Sequence, residues 1–286
     1  MTFCRCKLTI LDGIPEVAAL PHGGMIDNLG PMDPTKRFSS RVENYIRYRP
    51  GYPAALIDFF KRELGLTSSS IIADIGSGTG ISAEMFLRNG NTVYAIEPNQ
   101  EMREAAERLL SAYPQFHSIN GSAEATGLAD SSVDFIVVAQ AFHWFERNRA
   151  REEFCRILKP RGRLVLIWNE RRVQSAFEID YEKMLKEYAN DYLQVDHRKI
   201  TDEILDDFFA PNAFASKLFD YYQDLDHDSL KGRLLSSSYV PLEGANHESM
   251  MRRFDEIFHK HSVGGRNILS YDTRVFYGRL FRGSSR

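Results

Sequence analysis

Ile71-Ile72-Ala73-Asp74-Ile75-Gly76-Ser77-Gly78-Thr79-Gly80 decides how this chain folds. Its first five residues form a short, β-branched run, the kind of segment that becomes a strand buried on both faces. The glycines that follow let the backbone turn sharply and let a ligand approach without interference from Cβ atoms. Beyond Gly80, Ile81, Met85 and Phe86 take up helical spacing, and Gly90 is the stop. A loop so placed faces the unpaired N–H groups of the helix it opens, which favours a polar or anionic ligand.

Outward from this segment, strands and helices alternate. Leu56, Phe60 and Leu64 recur every four residues and predict a helix ending near Gly65. Downstream, the pattern predicts a strand over 92–97, a helix over about 100–112, a short strand over 116–120 and an apolar strand over 133–139. The next helix presents Ala150, Phe154, Ile157 and Leu158 on one face. Lys159-Pro160-Arg161-Gly162 then turns into a strand over 163–168. Such alternation specifies an α/β fold, a doubly wound, mostly parallel, Rossmann-like sheet.

After Trp168 the rhythm changes. Residues 175–209 read as helices rich in aromatics, followed by a strand near 217–222, a helical stretch over 246–262 and a last strand over 271–281. Two late strands around a helical insertion predict an antiparallel edge strand completing a seven-stranded sheet. The insertions, about 171–214 and 226–265, would form a lid above the strands' carboxyl ends, where open α/β sheets bind ligands. Residues 1–34 scatter Gly and Pro without periodicity and are expected to be a flexible tail, with Met25 and Met32 as alternative starts. Residues 35–286 are then a single domain with its core at 53–170.

Composition narrows the function. A chain of 286 residues with 43% hydrophobic content can bury one sizeable core, and a formal net charge of −3 gives no global attraction to nucleic acid or anionic membrane. The expected partner is a small-molecule substrate. Three cysteines cannot build a disulfide framework, and Cys4-Arg5-Cys6 lacks the two-residue spacer of a zinc or redox pair. Cys155 reads as a core position of its helix. Asp12, Pro15 and Glu16 interrupt the apolar stretch 8–20, so neither a signal peptide nor a membrane span is expected, and the expected location is cytoplasmic. Nothing here speaks to the oligomeric state.

The glycine spacing is G-x-G-x-G, whereas the dinucleotide fingerprint is G-x-G-x-x-G and would place its third small residue at Ile81. That counts against a nicotinamide oxidoreductase. Glu97 ends the second strand, twenty-one residues after Gly76. A carboxylate there either accepts both hydroxyls of a ribose or is a solvated acid at a strand end, and the shared spacing favours the ribose.

Several stretches together resemble the class I S-adenosylmethionine-dependent methyltransferases. The run Ile72 to Gly80 is similar to that family's first motif, and Tyr94-Ala95-Ile96-Glu97-Pro98-Asn99-Gln100-Glu101-Met102 to its ribose-binding second motif. Gly121-Ser122-Ala123-Glu124-Ala125 resembles the segment flanking the adenine, and Leu158-Lys159-Pro160-Arg161-Gly162-Arg163-Leu164 the turn before strand five. Tyr48-Arg49-Pro50-Gly51-Tyr52-Pro53 and Ala139-Gln140-Ala141-Phe142-His143-Trp144-Phe145 resemble the subgroup of trans-aconitate and quinone-biosynthesis methyltransferases. The likeness fades after residue 170.

This resemblance implies S-adenosyl-L-methionine as cofactor and methyl transfer to a small acceptor, such as a carboxylate or hydroxyl group. It implies that Gly76, Ser77, Gly78 and Gly80 border the methionine and ribose, and that Asp74 orients the cofactor's amino group. Glu97 would take the ribose hydroxyls, Pro98 and Met102 the adenine face, and Ser122, Ala123 and Glu124 the adenine edge. Gln140 and Ala141 would lie near the reacting centre. Tyr45 or Arg49 would meet the cofactor carboxylate, although Arg49 reads equally as a surface cation.

His143, in the loop after strand four, is the candidate general base, its ordinary pKa of roughly 6.5 being suitable. The alternative is a histidine packed among Phe142, Trp144 and Phe145. Trp144 lines the expected substrate pocket, as a cation–π partner of the sulfonium or through plain packing. Arg171 and Arg172 either belong to a carboxylate site or are solvated. Strand four ends in Ala139-Gln140 rather than an acid, so no magnesium site is expected. A non-catalytic sensor or scaffold that binds the same cofactor is the alternative function.

Overall fold

The β-branched run before the glycines does become a central strand. The computed structural model describes residues 42–190, 192 and 200–281, so the tail expected at 1–34 lies outside the described residues. β1 (Ile71–Ile75) pairs in parallel with β2 (Thr92–Ile96) on one side and β4 (Val133–Ala139) on the other. β3 (Phe116–Ile119) lies outside β2, and β5 (Leu158–Arg171) outside β4, both parallel. With β6 (Ala215–Asp226) and β7 (Arg266–Gly278) the sheet has seven strands in the order β3-β2-β1-β4-β5-β7-β6. β7 runs antiparallel to both of its neighbours and forms, with β6, the antiparallel edge expected from the sequence.

Side chains alternate across a strand, so the continuous apolar runs fill both faces. Phe135, Val137, Val165 and Ile167 meet Leu56 and Phe60 of α2 (Ala55–Leu64) and Phe86 and Leu87 of α3 (Ile81–Arg88). Ile136, Val138, Leu164 and Leu166 meet Phe154 and Ile157 of α5 (Arg147–Ile157) and Leu205 and Phe208 of α7 (Asp202–Phe209). A third apolar cluster joins α6 (Ala176–Tyr188), α8 (His227–Leu235) and α9 (Gly244–His261) to Leu269 and Tyr271 of β7. This is the aromatic insertion anticipated above. Two helices complete the description: α1 (Val42–Tyr48) precedes α2, and α4 (Gln100–Leu109) links β2 to β3.

Three details differ from the sequence reading. The β6 and β7 ladder runs unbroken from Ala215↔Tyr277 to Asp226↔Arg266, longer than either predicted strand. Backbone pairing alone satisfies polar, exposed positions such as Asp220 and Asp224, so hydrophobic alternation underestimates the length. Lys159 to Gly162 do form an excursion, but inside β5, whose register against β4 jumps from Val133↔Leu158 to Phe135↔Arg163. Cys155 is half-buried rather than core; its Sγ lies 3.4 Å from the Phe281 carbonyl. α5 turns Phe154 and Ile157 inward instead.

Candidate functional site

Gly76, Gly78 and Gly80 all take positive φ (69°, 57° and 86°). A Cβ on Gly76 would stand 2.5 Å from that of Ala141, so only glycine fits there. The Gly76 and Ser77 amides donate to the Ile96 carbonyl at 2.8 and 3.2 Å, fastening the loop to the end of β2. One residue further on, Glu97 accepts from the Gly78 amide through Oε2 (2.9 Å) and from the Asn99 amide through Oε1 (3.0 Å). Two backbone donors therefore aim this carboxylate, and each oxygen keeps a lone pair for a further donor. Burial raises the Glu97 pKa, while the two amides and Arg103 pull it back down.

Around this pair a crevice of ≈ 260 Å³ opens, walled by Gly76, Gly78, Glu97, Pro98 and Met102 on one side. Ser122, Ala123 and Glu124 line it on another, and Gln140, Ala141, Trp144 and Tyr45 close it. Asn99, which the sequence reading passed over, lines it too and caps α4 by accepting the Met102 amide at 2.8 Å. Its position two residues after Glu97, just before a helical pattern, was a readable capping signal.

A larger cavity of ≈ 480 Å³ adjoins the crevice, sharing Tyr45, Gly76, Ala139, Gln140 and Trp144 with it. Arg49, Ser77 and His143 line this second cavity. At the junction Gln140 holds φ +62°, a conformation rare for a side-chain-bearing residue, with its amide tied to the Ile167 carbonyl at 2.9 Å.

Asp74 and Gly80 line neither space. Gly80 starts α3 and packs against Leu110, whose Cδ1 would lie 2.5 Å from an added Cβ. Asp74 is fully buried beneath the loop and accepts from Ser82 Oγ at 2.7 Å, a carboxylate serving the first turn of α3 rather than the open crevice. Burial pushes its pKa up to about 7, partly offset by Ser82.

The opposite wall comes from the lid. A Cβ on Gly232 would fall 2.1 Å from the Tyr48 ring, so the missing side chain is what lets α1 lie against α8. Arg49 stacks over the Tyr45 ring at 4.7 Å and donates to the Ser236 carbonyl at 2.9 Å. It is not an ordinary surface cation: its Nε is sealed from solvent without a hydrogen-bond partner, and burial together with Arg233 lowers its pKa.

Of the two alternatives for Arg171 and Arg172, plain solvation does not describe them, because protein carboxylates hold both. Arg171 is buried in an ion pair with Glu182 and donates to Tyr192 Oη at 2.8 Å; Arg172 is held by Asp220 and Asp272. Arg233, Tyr239, Tyr271 and Asn169 also line the larger cavity and were missed. Only tertiary folding brings them to the glycine loop, so no local pattern marks them.

Comparison with known proteins points to methyltransferases. A family model described as a methyltransferase domain matches residues 73–166. The chain is 40% identical over 139 residues to an uncharacterized methyltransferase of Mycobacterium bovis, covering 49% of this chain and 54% of that one. It is 34% identical over 157 residues to an uncharacterized methyltransferase-like protein of Schizosaccharomyces pombe, covering 54% and 60%. The matches thus span little more than half of these relatives. Among solved structures, a candidate type II methyltransferase from Anaeromyxobacter dehalogenans superposes with a TM-score of 0.61 at 19% identity, over 82% of this chain and 100% of that one, which is a likeness of fold. Residues 73–166 thus match a methyltransferase domain, and the fold around them is that of solved methyltransferases.

Proposed function

We propose that the protein binds S-adenosylmethionine in the smaller crevice and transfers its methyl group to an oxygen, carboxylate or hydroxyl, of a small molecule held in the larger cavity. The observation that carries this reading is the union of the two spaces at Gly76, Gln140 and Trp144. A cofactor seated along the loop and an acceptor under the lid would meet there and nowhere else.

The residues present fit the cofactor. The open backbone at Gly78, where an added Cβ would meet nothing nearer than Tyr45 Oη at 4.0 Å, admits a ligand, and the aimed carboxylate of Glu97 suits a pair of ribose hydroxyls. Apolar Pro98, Met102 and Ala123, with Ser122 and Glu124 beside them, suit a purine. Tyr45 or Arg49 would hold the methionine carboxylate; the partnerless Arg49 Nε favours the arginine. Asp74 would act from behind the loop, by orienting α3 and by its charge rather than by contact.

When bound, S-adenosylmethionine supplies a methyl group on a sulfonium, which is an excellent leaving group. The protein's share of the work is then orientation and exclusion of water, which can lower a barrier by about 7–11 kcal/mol. Gln140 and Ala141 would border the reacting centre, and Trp144, shared by both spaces, would separate it from solvent. His143, on the acceptor side, is placed to take a proton from a hydroxyl acceptor. A carboxylate acceptor, already ionised at neutral pH, would not need it.

The test is incorporation of label from methyl-tritiated S-adenosylmethionine into a panel of small carboxylic and hydroxy compounds. Transfer to at least one is expected. Firm binding of S-adenosylhomocysteine with no transfer to any would point instead to a non-catalytic binder.

A further inference from the structure

The larger cavity carries more positive charge than its own residues neutralise. Arg172 is matched by Asp220 and Asp272, Glu170 by Arg274, and Arg171 by Glu182. Arg233 is different. It is only 8% exposed, and it donates to neutral groups, Tyr271 Oη at 3.3 Å and Ser237 Oγ at 3.1 Å. Among the described residues no carboxylate pairs with it. Arg171 keeps a buried Nε without an acceptor as well.

Two further observations point the same way. Arg233 and Arg49 repel one another across the site. The Tyr239 phenol, which burial alone would raise, is brought below its ordinary value by Arg171, Arg233, Ser237 and Arg49. A buried guanidinium without a counter-ion is costly unless something supplies the anion. The planar fork of arginine, with several N–H donors, is suited to carboxylate or phosphate oxygens.

Neither Arg171 nor Arg233 reaches the cofactor crevice, whereas Gln140 and Trp144 line both spaces. The methyl-accepting atom must lie at that junction, so a group held by Arg233 is a different part of the same molecule. We propose that the substrate carries an anionic anchor, a carboxylate or phosphate remote from the atom that is methylated, and that Arg233, assisted by Arg171, binds it at the lid end of the cavity. This rests on the methyl-transfer reading above and adds the substrate's second functional group. Arg233 is here a specificity-determining residue: it selects the acceptor and takes no part in the chemistry.

The experiment is calorimetric titration of the protein saturated with S-adenosylhomocysteine, using succinate, glutarate, adipate and inorganic phosphate, with the uncharged succinamide as control. At least one of the anions should bind at least about tenfold more tightly than succinamide. Arg233→Gln should weaken that anion about 10- to 100-fold, the range expected when a charged hydrogen-bonded contact is lost. Arg233→Lys, which keeps charge but not the fork, should fall between. Both variants should keep S-adenosylhomocysteine affinity within about twofold, which also shows that they are folded. If dicarboxylates bind best the anchor is a carboxylate, and if phosphate does it is a phosphate; either supports the proposal.

Wild-type protein that binds none of the anions better than succinamide would overturn the anchor with no variant needed, as would a folded Arg233→Gln that binds them normally. Failure of wild-type protein to bind S-adenosylhomocysteine at all would instead overturn the methyl-transfer reading, and the anchor with it.

Discussion

Replacing Glu97 by Gln probes the joint between the glycine loop and the second strand. In the native site Oε2 and Oε1 each face a backbone donor, the Gly78 amide at 2.9 Å and the Asn99 amide at 3.0 Å. Glutamine keeps the size but turns one oxygen into an NH₂ group, so one of those amides would then meet a donor. A hydrogen bond to a charged acceptor is worth about 1.5–3 kcal/mol, and the ribose hydroxyls lose the same charged partner. Together these predict about 2–4 kcal/mol of lost affinity for S-adenosylhomocysteine, roughly 30- to 1000-fold in Kd.

Stability should change little, because removing a partly buried charge offsets the weakened turn. The assay is calorimetric titration of both proteins, repeated with an analogue lacking the ribose 2′ and 3′ hydroxyls, for which most of the difference between them should vanish. Since the ionised form is the acceptor and burial raises its pKa, wild-type affinity should also decline as the pH falls towards the carboxylate range. A Glu97→Gln protein that binds S-adenosylhomocysteine within twofold of wild type would refute the reasoning.

Gly76→Ala forces a side chain into φ +69° and against Ala141 at 2.5 Å. Strain and overlap together should cost about 2–4 kcal/mol, seen as a Tm lowered by roughly 5–15 °C and as lost cofactor binding. Asp74, whose pKa is pushed up to about 7 by burial, stabilises the fold in its protonated form; that contribution is present below about pH 4 and lost as the pH rises through about 7. Urea unfolding of Asp74→Asn should therefore show its stability rising relative to wild type between pH 5 and pH 8, towards a limit on the order of 4 kcal/mol; a pH-independent difference would contradict the shift. His143→Gln should lower turnover of a hydroxyl acceptor at least about tenfold while S-adenosylhomocysteine affinity stays unchanged. An unaltered rate would leave His143 a packing residue.

The smaller crevice was legible in the sequence because it is local. Strand, turn and helix follow one another within twenty residues around Gly76, and Glu97 closes the adjacent strand, so short-range patterns suffice. β4 was readable to its ends, Val133 and Ala139, because apart from Asp134 it is an apolar run buried on both faces. The larger cavity was opaque. Arg233 and Tyr239 reach the cavity only because α8 docks on α1 through Gly232, and a small residue at a contact leaves no trace in hydrophobic periodicity. The state of Arg171 and Arg172 stayed open for a related reason: whether they are solvated depends on Glu182, Asp220 and Asp272, which the chain brings from other elements. The partner that Asp74 finds, Ser82 as the second residue of α3, could not be read from the motif that contains it.

The crevice beside Gly76 and Glu97 is the feature from which all else is argued, and titration of wild-type protein with S-adenosylhomocysteine and, separately, with NADH addresses it directly. The predicted result is saturable binding of one S-adenosylhomocysteine per chain, competed by S-adenosylmethionine, with no measurable heat from NADH. Saturable NADH binding with S-adenosylhomocysteine silent would contradict it.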